Sequence, residues 1–400
     1  MTKNSDSWSI KITLLLTSTL TIMAGATIAP SLPAMQAHFA EVENAQLWVR
    51  LLLTTPALFI ALGAPVAGQL VDTIGRKSLL IGSAMLYGLA GSSGFTLDSI
   101  FLMLIGRALL GLAVAGVMVS ATTLIADYYQ GDRRSNFMGL QAAFMSLGGV
   151  IFLSLGGAIS DINWRFPFLI YLFSWVLLPS IAIALYEPDR LQAKTPKTLK
   201  AETEQVNTPF KLLGLIYGSA FVTQVVFYMI PVQLPFYLEK LSGASASQSG
   251  IAIAFVTLFA AIASINYGKI KQHVSYLNIV AIAFLLMGVG YVGIGLVGNY
   301  YSVLLVLIPT GMGLGLLTPN LNVWTTTTVP AALRGRALGG LTTCLFLGQF
   351  LSPIVTQPLS QAFELSATYG LVGVCLVVMG ANLWIFDRQI KNLVTRPLSK

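Results

Sequence analysis

Charged side chains are scarce in this sequence. Only 10% of its 400 residues are Asp, Glu, Lys or Arg, whereas 55% are apolar. A typical soluble domain is about 25% charged, and a soluble fold of this size could not cover its surface with so few charges. The low charge content therefore excludes an ordinary soluble protein and indicates an integral membrane protein.

Cysteine and histidine are nearly absent as well. The cysteines, Cys344 and Cys375, lie in apolar runs, and the histidines, His38 and His273, are far apart in the sequence. We therefore expect no disulfide framework, no metal site and no cofactor. No cluster of Ser, His and Asp, or of Cys and His, indicates catalysis, so we do not expect an enzyme.

The long apolar runs predict an all-α integral membrane protein with twelve transmembrane helices. Each run has the length that a helix needs to cross a bilayer, and none alternates as a barrel strand does. The first run is longer than the core of a signal peptide, so we expect it to be retained. The predicted spans are 12–37, 47–70, 78–97, 100–127, 136–159, 164–186, 212–238, 248–268, 275–297, 301–328, 336–361 and 366–386.

The basic residues indicate the orientation of these spans. With a cytoplasmic N-terminus, 19 of the 23 Lys and Arg residues fall in cytoplasmic segments together with eight acidic residues. Three basic residues, among them Arg50, then face outside with six acidic ones. This asymmetry predicts a multi-pass protein of the plasma (inner) membrane with both termini in the cytoplasm. The net charge of +8 thus reflects topology, and we expect no nucleic-acid partner.

One long connection, residues 187–211, predicts a cytoplasmic linker between two six-helix bundles, residues 1–186 and 212–400. A shift of about 200 residues aligns several positions of the two bundles, namely Gly68 with Gly268, Arg134 with Arg334, Gly139 with Gly339 and Gly148 with Gly348. Such a repeat implies a pseudo-two-fold axis along the membrane normal. Transporters of this plan bind substrate near the midplane and alternate access by rocking.

The loop after span two reads Gly68-Gln-Leu-Val-Asp72-Thr-Ile-Gly75-Arg76-Lys77. It is similar to G-x-L-a-D-r-x-G-r-[RK], which is motif A of the major facilitator superfamily. Span four carries Arg107 in a stretch similar to motif B. Trp164-Arg165 followed by Phe168, and the stretch 333–337, resemble two further motifs. The resemblance covers the whole chain and implies a monomeric transporter with the fold of that superfamily.

The antiporter motif of span five is matched only in part. Gly148 to Gly157 has the frame of motif C, but Phe152-Leu153 stands where the family has Gly-Pro. The stretch from Ala26 to Pro33 looks like multidrug and sugar-efflux members. The chain therefore resembles most the twelve-helix drug:proton antiporter branch.

In the family, motif A contacts are thought to latch the outward-facing state. The resemblance implies this role for Gly68, Asp72, Gly75, Arg76, Lys77 and Asp127. Asp72 could accept backbone N–H bonds at the start of span eleven, and Arg76 could reach Asp127 at the end of span four. Gly68 would permit close helix approach and Gly75 a tight turn. The alternative is a solvated loop whose charges only set topology.

Arg107 lies inside span four, where a charged side chain is costly. Asp127 is twenty residues further on, about 30 Å along the same helix, and cannot be its partner. Arg107 must therefore bond backbone carbonyls, neutral polar groups, water or an anionic substrate. The resemblance implies a role in coupling, and snorkelling to the outer interface is the alternative.

Polar and aromatic residues within the spans are candidates for a substrate cavity. They are Gln141, Met145, Gln224, Tyr228, Gln233, Asn320, Asn322 and Trp324. Helix packing is the alternative role for each of them. Prolines in spans one, seven and ten predict bends in the helices that line the cavity in the family.

Spans one, seven and ten have no Asp or Glu at their centres. An acid-poor cavity favours neutral, anionic or amphipathic substrates over strongly cationic ones. We expect a secondary active transporter of small organic molecules that works by alternating access, namely a proton-coupled exporter of drugs or metabolites. The alternatives are a sugar or anionic-metabolite transporter without proton coupling, and a membrane sensor that does not transport.

Overall fold

The computed structural model describes residues 7–188, 210–330 and 333–385. Most of the predicted linker, residues 189–209, and the basic C-terminal residues 388–400 lie outside the described residues. We call residues 7–188 the N-terminal part and residues 210–385 the C-terminal part.

The described residues form α-helices joined by short turns and loops. The helices are α1 (Trp8–Ala26), α2 (Leu32–His38), α3 (Ala45–Ile74), α4 (Arg76–Ser92), α5 (Ile100–Tyr128), α6 (Gly131–Ser160), α7 (Phe173–Ala184), α8 (Phe210–Phe227), α9 (Met229–Ser242), α10 (Ala246–Lys271), α11 (Tyr276–Leu296), α12 (Tyr300–Thr328) and α13 (Arg334–Ile385). Short 3-10 helices precede α2, follow α4 and precede α7.

Eleven helical stretches of the described chain are long and apolar enough to cross a membrane, where the sequence predicts twelve spans. The difference lies in α13, which runs through 52 residues and joins the last two predicted spans. Glu364 alone departs from helical geometry there, with φ 61° and ψ 165°, between the two predicted spans. A single residue with a positive φ therefore replaces the expected loop.

The predicted bends of spans one and seven occur at prolines. A proline nitrogen cannot donate to the carbonyl four residues earlier, which is that of Ala26 for Pro30 and that of Phe227 for Pro231. Helix α1 ends at Ala26 and α8 ends at Phe227. Each predicted span is consequently split into two helices.

Four buried tyrosines repeat the same contacts in both parts. Tyr87 and Tyr171 lie together and donate to carbonyls of α1, at Leu20 (2.8 Å) and Ala24 (3.1 Å). Tyr291 and Tyr369 lie together in the same way and donate to carbonyls where α8 meets α9, at Val226 (2.5 Å) and Met229 (3.0 Å). In each part, a pair of tyrosines therefore donates hydrogen bonds to the backbone of the first predicted span.

Ion-pair clusters mark the two ends of the helix bundle. One cluster contains Asp72, Arg76, Asp127 and Glu187, and we call this end the terminal face. The other contains His38, Asp98 and Arg165, and we call that end the distal face. Between the faces, large apolar side chains such as Ile105, Val176 and Ile265 are exposed on the outside of the bundle, where they suit contact with lipid.

Candidate functional site

On the terminal face, Arg76 joins the ends of two helices. Its Nε lies 3.1 Å from Asp127 Oδ2 at the end of α5, and its Nη2 lies 3.9 Å from Asp72 Oδ1 at the end of α3. The Arg76 side chain is buried, whereas the Asp72 side chain is 74% exposed. Because solvent weakens exposed pairs, the contact with Asp127 is the stronger of the two.

Glu187 holds the start of α4, a role that sequence reasoning missed. Its Oε1 accepts from the backbone N–H of Arg76 at 2.7 Å, and its Oε2 accepts from that of Lys77 at 2.8 Å. Lys77 Nζ donates back to the carbonyl of Ala182 at 2.7 Å. The first amides of a helix need acceptors, and a carboxylate also favours the helix dipole. Glu187 thereby fixes the helix that carries Arg76.

Gly75 forms the tight turn between α3 and α4. Its φ of +99° and ψ of 157° belong to a region that is essentially restricted to glycine. An added Cβ would also lie 2.8 Å from Glu187 Oε1. Gly68 differs, because an added Cβ there would meet nothing within 4 Å. The close helix approach expected at Gly68 is not made in this structure.

Asp72 also lacks the partner expected for it. Among residues 333–385, none forms a hydrogen bond or ion pair with its carboxylate. The terminal face thus contains the pairing of Arg76 with Asp127, but within the described residues it does not join α3 to the start of α13.

Arg107 is buried inside the N-terminal part and is only 2% exposed, so it does not snorkel to the surface. Its Nη1 donates to the Tyr171 hydroxyl at 2.9 Å, and its guanidinium lies 4.8 Å from the centre of the Phe168 ring. Tyr171 in turn donates to α1. A neutral polar group and aromatic faces therefore hold this charge.

Two of the cavity candidates pack helices of the C-terminal part together. Asn320 is fully buried, and its amide bonds the Tyr276 carbonyl (3.0 Å) and the Tyr267 hydroxyl (3.3 Å). Trp324 stacks on the Tyr276 ring with centroids 5.8 Å apart. Asn322 is exposed and donates to a carbonyl of its own helix. Asn320 and Trp324 therefore join α12 to its neighbours.

Three glutamine candidates also bond neighbouring helices of their own part. Gln141 donates to Ser18 at 2.9 Å, Gln233 donates to Thr356 at 2.7 Å, and Gln224 accepts from Gln349 at 3.4 Å. Met145 on α6 is half-buried.

Tyr228 is the candidate that lies between the two parts. Its hydroxyl is 3.3 Å from the position of a Cβ added to Gly25 of α1. Tyr228 follows the end of α8 and so lies where the seventh predicted span is broken.

A carboxylate joins the two parts at the distal face. Asp161, directly after α6, accepts from the backbone N–H groups of Ala246 (2.8 Å) and Ser247 (3.2 Å) and from the Ser247 hydroxyl. The next amide of α10, that of Gln248, is capped by the hydroxyl of Ser245. The N-terminus of α10 is thus completed by a side chain from the other part.

Close backbone contacts surround this carboxylate. A Cβ added to Gly157 of α6 would lie 2.6 Å from the Ala246 carbonyl oxygen, and one added to Gly250 of α10 would lie 2.5 Å from the Leu153 carbonyl oxygen. On the opposite side of the same face, α3 meets α13, where Thr54 donates to the Phe350 carbonyl at 3.4 Å. We call the α6–α10 and α3–α13 contacts the distal seam.

Arg50, one of the predicted outside charges, lies within this seam. It belongs to α3 and is only 5% exposed. Its guanidinium lies 4.8 Å from the centre of the Phe236 ring in the C-terminal part. Arg50 lies three residues inside the predicted span 47–70, and this position was the signal in the sequence for its burial.

Comparisons with known proteins point to one family. The model of the Major Facilitator Superfamily matches residues 14–353 and, in a second match, residues 216–400. The chain is 22% identical over 361 residues to the multi-drug resistance efflux pump PmrA homolog of Lactococcus lactis subsp. lactis (strain IL1403), covering 89% of this chain and 88% of that protein. It is 25% identical over 374 residues to the tetracycline resistance protein, class E, of Escherichia coli, covering 90% and 88%.

Solved structures show the same fold. A bacterial homolog to the human lysosomal transporter Spinster, in an inward-facing and unoccupied conformation, superposes with a TM-score of 0.77 at 18% identity. The superposition covers 97% of this chain and 98% of that one.

Proposed function

Because the chain belongs to the major facilitator superfamily, we propose that it is a secondary transporter that exports small organic molecules across the plasma membrane by alternating access. The observation that carries this proposal is the one-sided contact between its parts. Among the described residues, the hydrogen bonds that join them lie at the distal face. The efflux and resistance proteins to which the chain is similar support export as the direction.

In this proposal the chain acts as a monomer of two six-helix bundles, residues 1–186 and 212–400, joined by the cytoplasmic linker 187–211. Counting α13 as two helices that meet at Glu364 gives twelve spans. The repeated tyrosine contacts support two bundles of one plan. The distribution of Lys and Arg supports a cytoplasmic terminal face and an external distal face.

At each face, a carboxylate of the N-terminal part is placed to cap a helix of the C-terminal part, and only the one at the distal face does so among the described residues. Asp161 caps α10 at the distal face, whereas Asp72 is exposed and is not joined to α13 within the described residues. We infer an inward-facing conformation in which the distal latch is closed. Opening of the distal seam would release Asp161, while closure of the terminal face would bring Asp72 to the start of α13. Gly68, which has open space beside it, would then meet that helix.

Tyr228 is our main candidate for a substrate contact because it lies between the parts. Arg107 is our candidate for coupling, since Tyr171 links its charge to α1. A movement of α1 during rocking would therefore reach Arg107.

A transporter of sugars or anionic metabolites without proton coupling is the second candidate. The buried polar residues of the described chain include three arginines but no Asp and no Glu. Proton coupling needs a titratable group inside the protein, and an arginine side chain does not lose its proton in proteins.

Transport by purified protein in proteoliposomes tests the proposal. We expect saturable flux of at least one of three probes, tetracycline, ethidium and 1-naphthaleneacetate. Asp72→Asn should slow this flux, whereas Asp132→Asn, which changes an acid in the first turn of α6, should not. Flux that follows an imposed proton gradient supports proton coupling, and gradient-independent downhill flux supports the second candidate. Absence of saturable flux for all three probes contradicts transport.

A further inference from the structure

The buried charges of this protein are all positive within the described residues. They are Arg50, Arg76 and Arg107. Arg76 pairs with Asp127. Arg107 is held by Tyr171 and Phe168 inside the N-terminal part, although its Nη2 is buried without a hydrogen bond among the described residues. Only Arg50 faces the other part of the chain, so its environment must change when the parts rock.

The helix register places Arg50 in the middle of the α3–α13 contact. Gln46 lies 3.5 Å from Gln361, measured between side-chain amides, and Thr54 bonds the carbonyl of Phe350. Arg50 lies halfway between Gln46 and Thr54, and therefore opposite the stretch of α13 between Phe350 and Gln361. Its guanidinium also lies against the Phe236 ring of α9.

The guanidinium of Arg50 has fewer partners than it can bind. Its Nη1 donates to the carbonyl of Gln46 at 3.3 Å, and its Nε is buried without a hydrogen bond among the described residues. Gln357, on the facing stretch of α13, also has a buried amide oxygen without a partner. A buried charge without a counter-ion is unfavourable, and such a charge inside a membrane protein marks a functional site.

We propose that Arg50 binds an anionic group, such as a carboxylate, of the transported molecule. The inference rests on the proposed function and adds the substrate class to it. When the distal seam opens, Arg50 separates from Phe236, and its planar guanidinium can bind a carboxylate through two parallel hydrogen bonds. The substrate then supplies the negative charge that the buried interior lacks. Binding of the anion therefore favours the state with an open seam, and an uncharged analogue of the same shape does not.

Pairs of probes that differ only in charge test this inference. We would measure kcat/KM for 1-naphthaleneacetate and 1-naphthaleneacetamide, and for indole-3-acetate and indole-3-acetamide, in proteoliposomes. The variants are Arg50→Gln, which removes the charge, and Arg50→Lys, which keeps it without the planar fork. Lys240→Gln is the control, because it removes one positive charge from an exposed side chain at the distal face.

We expect the wild-type protein to prefer each acid over its amide. Arg50→Gln should reduce that preference about ten- to hundredfold, the size of one charge-assisted hydrogen bond. Arg50→Lys should keep part of it, and Lys240→Gln should keep all of it. Transport of the amides by Arg50→Gln shows that this variant is folded.

Two results would overturn the inference and leave the proposed function standing. One is a wild-type protein that transports tetracycline or ethidium but neither acid. The other is an Arg50→Gln protein with an unchanged acid-to-amide ratio. Absence of flux for every probe tested contradicts the proposed function itself.

Discussion

At the scale of single residues, the turn between α3 and α4 depends on one glycine and one carboxylate. Gly75 supplies a backbone conformation that side chains disfavour, and Glu187 fills the space where a Cβ would be. The same carboxylate caps α4 and so fixes the backbone from which Arg76 reaches Asp127. The geometry of the terminal-face cluster therefore depends on a residue more than 100 positions away.

Gly75→Ala should reduce the free energy of unfolding by about 1–3 kcal/mol, the usual size of strain in this backbone region. The loss arises from the positive φ and from displacement of the Glu187 carboxylate. Denaturant unfolding in detergent would measure it. Gly82→Ala, inside the following helix α4, is the control, because its added Cβ has open space. Equal effects of the two substitutions would contradict this account.

The sequence predicted the pairing partners on the terminal face but not the residues that cap helices. Arg76 and Asp127 could be paired because both lie at helix ends on the same predicted side. Glu187 and Asp161 bond backbone N–H groups, which leave no signature in the sequence of the partner. Asn320 and Trp324 were candidates because polar and aromatic residues in a span are visible, but the sequence does not tell which face of α12 turns inward.

At the scale of helices, the distal latch is a helix end completed by a neighbouring helix. Asp161 supplies acceptors to the first two amides of α10, and Ser245 supplies the third. Opening the seam leaves those two amides to water. The contact of Asp161 with α10 therefore stabilises the closed seam without preventing the seam from opening.

Asp161→Asn should shift the protein toward the state with an open distal seam. A carboxylate at a helix N-terminus contributes about 0.3–2 kcal/mol, so the shift should be roughly two- to thirtyfold. The reporter is Thr54→Cys, buried in the seam, in a protein whose native cysteines are replaced by serine. Its reaction with a membrane-impermeant maleimide should become faster by that factor.

The control for this shift is Asp98→Asn, which removes an acid from the same face but from a pair within the N-terminal part. It should leave the reaction of Thr54→Cys unchanged. Equal rates in Asp161→Asn and the unmodified background would show that Asp161 does not hold the seam.

The helices were more predictable than their connections. Prolines predicted bends in spans one, seven and ten, because a missing N–H acts locally. Spans one and seven are broken after Ala26 and Phe227, whereas α12 continues through Pro309 and Pro319. Glu364 was not predictable, since a positive φ at a glutamate arises from the packing of the two segments that it joins and not from its own preference. The predicted loop therefore became a one-residue break inside α13.

At the scale of the whole molecule, the two parts contact each other across the distal seam. Gln46 and Gln361 bridge the parts at the outer edge of the α3–α13 contact. A covalent link between these positions should hold the seam closed and stop the rocking that transport requires.

We expect Gln46→Cys/Gln361→Cys, without the native cysteines, to lose flux when joined by a short bis-methanethiosulfonate and to regain it after reduction. The matched control is Lys240→Cys/Glu364→Cys, a pair on the same face but within the C-terminal part. Its flux should persist after the same treatment. Undiminished flux in fully cross-linked Gln46→Cys/Gln361→Cys protein would rule out rocking at this seam.

The glycines of the distal seam bear on how fast the protein can turn over. Where a Cβ of Gly157 or Gly250 would strike a carbonyl oxygen, the glycine instead presents a Cα–H group to that oxygen. Each such contact contributes only about 0.5–1 kcal/mol. Contacts of this size can break one after another, with no single contact setting a high barrier. The backbones of α6 and α10 can therefore lie close together in the closed seam and still separate within each transport cycle.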